Sequence, residues 1–157
     1  MRQAGSKASC VVFEERIVVT GGDDTSQHQL STVESYDVTT NSWSPMAEMV
    51  EGKRRHSSVV VRNKLFVLGC EGFSEGFEVY DSTCKIFVAL KRPAPMLEST
   101  SFGTINNVVA IGSKLFALMN ATCFFAVYDV EKGKWSKVFC DITEKELLFS
   151  SIKVPHH

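Results

Sequence analysis

The chain has 157 residues, 44% hydrophobic and 22% charged, with a formal net charge of −1. That length suits one domain able to bury roughly two thirds of its unfolded surface, and so small a net charge makes no field that would gather nucleic acid or anionic lipid, so neither is an expected partner. No apolar run approaches the roughly 20 residues of a membrane helix, and Met1–Ser9 carries charge without the apolar centre of a signal peptide, so a cytoplasmic chain that is not exported is expected.

In chain order, residues 1–9 are expected to be flexible, with Met1 to Val12 supplying at most an incomplete lead-in strand. A first repeat is predicted over 10–56. It holds the apolar run Ile17-Val18-Val19-Thr20, then Gly21-Gly22, a polar loop from Asp23 to Leu30, the segment Val33-Glu34-Ser35-Tyr36-Asp37, the turn Thr39-Thr40-Asn41-Ser42, and Trp43. A second repeat is predicted over 57–100, with strands near Ser57–Val61, Leu65–Leu68, Gly76–Tyr80 and Lys85–Leu90 and a hairpin turn at Arg62-Asn63-Lys64. A third is predicted over 101–140, with Leu115-Phe116-Ala117-Leu118, Phe125-Ala126-Val127-Tyr128-Asp129 and Trp135. In 141–157, Thr143-Glu144-Lys145-Glu146 has capping-box spacing for a short helical turn, and Leu148 to Val154 resembles the first strand of a further period.

The three segments are one pattern. Tyr36, Tyr80 and Tyr128 are 44 and 48 residues apart, each is followed by Asp, and a large aromatic (Trp43, Phe87, Trp135) stands seven residues after each. Such a period is the signature of a repeat array. The runs are too short and too rich in β-branched and aromatic residues for helices, and turn residues separate them, so each period reads as four strands. The second strand of a period is apolar on both faces. A lone antiparallel sheet leaves one face to water, whereas sheets stacked face to face cover both.

The run ending in Gly21-Gly22, the Val-Glu-x-Tyr-Asp segment, Asn41-x-Trp43, and Met49 followed by basic residues resemble the kelch repeat. The resemblance implies an all-β fold, an incomplete kelch β-propeller of about three four-stranded antiparallel blades, with Tyr and Trp filling the space between blades. The later periods depart from the motif. Gly69-Cys70 keeps one glycine, Met119-Asn120 keeps neither, and Phe87 replaces tryptophan, although Asn120 tolerates a left-handed backbone. Closed propellers hold about 4 to 8 blades, so the chain is expected to belong to a longer protein, and its open blade faces are expected to leave the isolated chain marginal in stability or self-associating.

Candidate contacts follow from where loops and charges fall, since strands are committed to packing and loops are free to vary. The polar loop offers Asp23, Asp24, Gln27 and His28, and its counterpart Glu71 to Glu75 offers Phe73 as an aromatic anchor. Lys53-Arg54-Arg55 is the densest charge run and suits an acidic partner. The resemblance to kelch-like ubiquitin-ligase receptors implies that Arg55 points into the ligand-binding face. His56 reads as a structural hydrogen-bonding residue. His28, His56, His156 and His157 lack metal-ligand spacing, and no phosphate loop or nucleophile elbow is present, so no catalytic residue, metal or cofactor is expected. Five cysteines without a CxxC pair predict neither a disulfide framework nor a zinc site, and Cys70, Cys84 and Cys123 are expected as small buried hydrophobes. The resemblance implies a protein-binding module that is not an enzyme. It would be part of the substrate-recognition propeller of an adaptor for a cullin-RING E3 ubiquitin ligase, which it would meet through BTB and BACK domains outside this chain. The alternatives are an actin-binding or cytoskeletal kelch protein and a kelch-fold copper oxidase.

Overall fold

In the computed structural model the described residues are 6–69, 76–90, 105–119 and 124–139. They form twelve strands in three sheets. The first sheet has β1 (Ser9–Phe13), β2 (Arg16–Thr20), β3 (Val33–Asp37) and β4 (Ser42–Pro45). The second has β5 (Ser57–Val61), β6 (Lys64–Leu68), β7 (Phe77–Asp81) and β8 (Ile86–Ala89), and the third has β9 (Ile105–Ile111), β10 (Lys114–Met119), β11 (Phe124–Asp129) and β12 (Lys134–Phe139). Within each sheet the strands are antiparallel and lie in sequence order. The first strands adjoin, β1 against β5 and β5 against β9, so the sheets stand as blades stacked face to face.

Local chemistry explains why the chain turns where it does. Glu14-Glu15 and Arg62-Asn63 both have φ near 50–60°, the paired left-handed geometry that matches the twist of a two-residue hairpin. In the third-to-fourth strand turns, the Asp of every Tyr-Asp pair does the same work. Asp37 accepts from the N–H of Thr39 and Thr40, Asp81 from Thr83 and Cys84, and Asp129 from Glu131 and Lys132. These donors hold all three carboxyls below the usual carboxylate range. Each turn then ends on a left-handed residue, Asn41, Lys85 or Gly133.

The packing bears out the two-sided reading of the second strand. Leu65 and Val67 of β6 enter a core with Phe13, Val18, Val33 and Met49 of the first blade. Phe66 and Leu68, pointing the other way, enter a core with Val108, Leu115, Ala117 and Tyr128 of the third. Aromatic edges mark both seams: Phe13 meets Tyr80 with ring centroids 6.0 Å apart, Phe66 meets Tyr128 at 6.0 Å and Phe77 meets Trp135 at 4.9 Å. Tyr36 and Trp43 meet each other as the equivalent pairs Tyr80–Phe87 and Tyr128–Trp135 do, but they stay half-buried because no described blade covers their face.

Two expectations are corrected. The lead-in strand is complete, since β1 pairs with β2 from Ser9 to Phe13. Cys84 is exposed, as is Cys10, because the Asp81 turn carries it away from the sheet. Cys70, Cys123, Cys140, Asn120 and Met1 to Gly5 lie outside the described residues, as do the predicted helical turn at Thr143-Glu146 and the strand at Leu148–Val154.

Gly21 has φ +55° and a Cβ there would stand 2.4 Å from the Lys53 carbonyl oxygen, whereas Gly112 has φ +59° and open space around it. Gly112→Ala should cost only the left-handed backbone, about 1–2 kcal/mol. Gly21→Ala should cost a further ~1–3 kcal/mol from the clash. Urea unfolding of the two variants checks this, and equal losses would refute the close-approach reading.

Candidate functional site

The connections β2–β3 and β4–β5 lie at the same end of the first blade and are stitched together. Gly22 N–H donates to the Lys53 carbonyl at 2.7 Å, Lys53 N–H to Leu30 at 3.0 Å, and Leu30 N–H to Gly22 at 2.8 Å. A third layer comes from the N-terminal segment, where Ser6 and Asp23 exchange backbone bonds and Arg55 N–H donates to the Lys7 carbonyl at 3.1 Å. Gly52 permits the contact, since a Cβ there would lie 2.6 Å from the Gln29 carbonyl oxygen.

This end holds seven of the eight predicted contact residues, in different roles. Two predictions are overturned by burial. Lys53 is 0% exposed and its Nζ lies 2.7 Å from Glu78 Oε1 of the second blade. Glu78 is 2% exposed and also accepts the N–H groups of Val50 and Glu51. Lys53 is thus a fastener between blades, not a contact for a partner. Asp23 is likewise buried, 2.8 Å from Lys7 Nζ and 3.6 Å from Arg54, and the hydrogen bond from Lys7 is the main cause holding its carboxyl below the usual range. A buried charge must be paired, so both residues are consumed by the fold.

The rest stand at the surface. Asp24 braces the loop, accepting from the N–H of Ser26 and His28 at 2.8 Å and meeting the His28 ring at 3.2 Å, which lowers its pKa. Gln27, His28 and Arg55 are exposed and Arg54 is partly so. The backbone is strained here. Apart from residues in the hairpin turns, the non-glycine residues with positive φ among the described residues are Lys7, Gln27 and Arg55, all at this end, and such strain gathers where a surrounding structure fixes a side chain for use. Phe73 lies outside the described residues.

His56 behaves as the sequence suggested. Thr20 Oγ1 lies 2.7 Å from both His56 Nε2 and Ser58 Oγ, a hydroxyl that donates one bond and accepts the other. Burial, with nearby Lys53 second, pushes the His56 pKa down to about 4. Sequence reasoning missed Lys7, Glu78 and Thr20. Glu78 had a readable signal, a carboxylate alternating with Tyr80 on the face of a strand otherwise bound for the core. Among the described residues no cluster of His, Cys, Asp and Glu could hold a metal ion, and no helix is long and apolar enough to cross a membrane.

Sequential four-stranded antiparallel sheets, stacked face to face with their first strands adjoining, are blades of a β-propeller. The structure called YjhT supports this, matching 88% of this chain and 53% of its own with a TM-score of 0.67 at 15% identity. Residues 4–50 match the Kelch motif. An F-box/kelch-repeat protein of Arabidopsis thaliana is 31% identical over 68% of this chain, and Kelch-like protein 7 of Rattus norvegicus and of Mus musculus is 27% identical over 73%. The chain belongs to the kelch-repeat proteins, as a partial kelch propeller. It spans 28% of the plant relative's length and 20% of the rodent ones'.

Two measurements probe the seam. Lys53→Met leaves Glu78 buried without its cation and should cost about 3–5 kcal/mol, read by urea unfolding; a loss no larger than that of an exposed lysine such as Lys132→Met would contradict the buried pair. For His56 the sign follows from its depressed pKa. Above the ordinary value of 6.5 neither state binds the proton, and between 6.5 and about 4 only the unfolded imidazole does, so stability falls as pH falls through that window. The loss between about pH 7 and pH 5 should be about 2 kcal/mol larger in the native chain than in His56→Gln.

Proposed function

We propose that this chain is part of the substrate-recognition propeller of an adaptor for a cullin-RING E3 ubiquitin ligase, and that it binds its protein partner at the end built from the β2–β3 and β4–β5 connections. Kelch repeats mark protein-interaction modules, and the relatives carry F-box/kelch-repeat and Kelch-like names. The observation that carries the reading is Arg55. It is exposed at φ +49°, with its N–H donated to Lys7 and with Gln27 and His28 exposed on the adjoining loop. An exposed arginine on an immobilised backbone suits a carboxylate of the partner, because its backbone loses little conformational freedom on binding. Phe73 remains a candidate anchor for the same partner. The ligase would be met through domains outside this chain. The chain itself would carry out no catalysis, need no cofactor and work in the cytoplasm.

In the full protein, Arg55→Ala should weaken binding of the captured substrate by about tenfold, the loss of one charge-assisted hydrogen bond, while co-purification with the cullin stays unchanged. Unchanged substrate affinity removes this site. Co-sedimentation with actin filaments in place of cullin association would favour a cytoskeletal role.

A further inference from the structure

The seam between the first and second blades holds a cavity of about 500 Å³, walled by β2, β3 and β4 on one side and by Tyr80 and Lys85 on the other. Both of its walls are blades described above. Ligand sites occupy about 300–1,000 Å³. The cavity sits toward the hairpin-turn end, away from the β2–β3 and β4–β5 connections, because Glu14 and Arg16 flank the β1–β2 turn and Lys85 ends the β7–β8 turn.

The repeat itself shows why there is room. Ser35 and Ser44 face each other across β3 and β4 where the second blade has Val79 and Val88. Two hydroxymethyl groups thus stand where the next seam has two isopropyl groups, and Val79 packs onto the buried cluster there. The turns differ in the same sense. Glu14 corresponds by register to Arg62, which reaches Glu131 of the third blade at 2.7 Å. In the second blade Thr83 takes the place of Glu131, two residues after the Asp of the turn, and a neutral threonine cannot form the matching ion pair.

The lining has a definite chemistry. Phe13, Val18 and Met46 give it an apolar side. Tyr80 is 9% exposed, and among the described residues its hydroxyl has no hydrogen-bond partner. Burial first, then Glu14 and Asp81, pushes the Tyr80 pKa up, so the group is a neutral phenol able to donate and to accept. Arg16 is held by Asp37 at 3.3 Å. Glu14 and Lys85 are exposed on left-handed backbone, φ 49° and 55°, and among the described residues neither forms an ion pair. A carboxylate and an ammonium left unpaired beside an apolar cavity complement a ligand with one amine and one carboxylate. Each end then gains a charge-assisted hydrogen bond, and the apolar body between them leaves water.

We propose that this inter-blade cavity is a second binding site, for a short peptide with free ends and apolar side chains, its amine at Glu14 and its carboxylate at Lys85. A dipeptide, about 7 Å from end to end, is short enough to lie within it. This site and Arg55 stand at opposite ends of the blade, and the failure of either reading leaves the other as it was.

Isothermal titration of the full chain with leucyl-leucine should show saturable binding at one site over roughly 1 µM–1 mM. N-acetylation of the dipeptide and Glu14→Gln should each weaken binding about tenfold, the loss of one charge-assisted hydrogen bond. Acetylation should then cost the Glu14→Gln chain little more. Amidation of the carboxyl end and Lys85→Met should be related in the same way. Ser44→Val places the second blade's residue at an exposed position, so it should keep the fold and abolish binding. No saturable binding in that range, a capped dipeptide held as tightly as the free one, or undiminished binding by Ser44→Val would each overturn the proposal. Loss of β-sheet circular dichroism in a variant would leave the decision to the capped dipeptides, which need no altered chain.

Discussion

Lys64–Leu68 is a strand with no side for water. Because side chains alternate across a strand, Leu65 and Val67 are driven one way and Phe66 and Leu68 the other, and a sheet built around such a strand needs an apolar neighbour on each face. Burying four large side chains in this way contributes roughly 1.5–3 kcal/mol apiece, more than any surface ion pair of the blade supplies. Arg62 and Glu131 join the turns of adjacent blades at 2.7 Å, but both are more than half exposed, and such pairs contribute about 0–1 kcal/mol. Stacking is therefore hydrophobic in origin, and polar groups decide alignment.

The buried pair of Lys53 and Glu78 shows how alignment is set. Desolvating two charges consumes most of their mutual attraction, so the pair adds little net stability compared with an apolar contact of the same volume. Its geometry is demanding, however. Glu78 takes the Lys53 ammonium and the N–H groups of Val50 and Glu51 together, which fixes the height at which the first blade's exit segment crosses the second blade. The third blade has Ala126 at the matching register position, and the buried residues of its seam with the second form an apolar cluster. One polar fastener and one apolar cluster thus flank the same sheet.

Much of this was legible in the residues. The Tyr-to-aromatic spacing located the third and fourth strands, and Arg62-Asn63 located a hairpin turn, because both depend on local backbone preference. The role of the Asp in each Tyr-Asp pair was less visible, though it too is local, because a carboxylate after a strand reads equally well as a solvated charge. What the sequence concealed was burial of charge. Lys53, Arg54 and Arg55 are alike in chemistry, and only the third dimension separates a residue at 0% exposure from one at the surface. The complementary carboxylates lie far off in the chain, Glu78 from Lys53 and Asp23 from Arg54, so no short-range pattern could pair them. Arg55 stays a candidate because, unlike Lys53 in the same connection, it is exposed. Lys7 was overlooked because a terminal segment was expected to have no fixed structure.

Among the described residues each sheet takes its four strands in sequence order, and no strand crosses to a neighbour's sheet. The molecule is therefore coupled only between nearest neighbours, as in solenoid arrays whose stability is a sum of unit and interface contributions. Such a chain need not open all at once. Among the described residues the middle sheet is held from two sides and either end sheet from one, so protection of backbone amides against exchange with solvent should be graded along these strands, highest through β6 and β7 and falling toward β1 and β12.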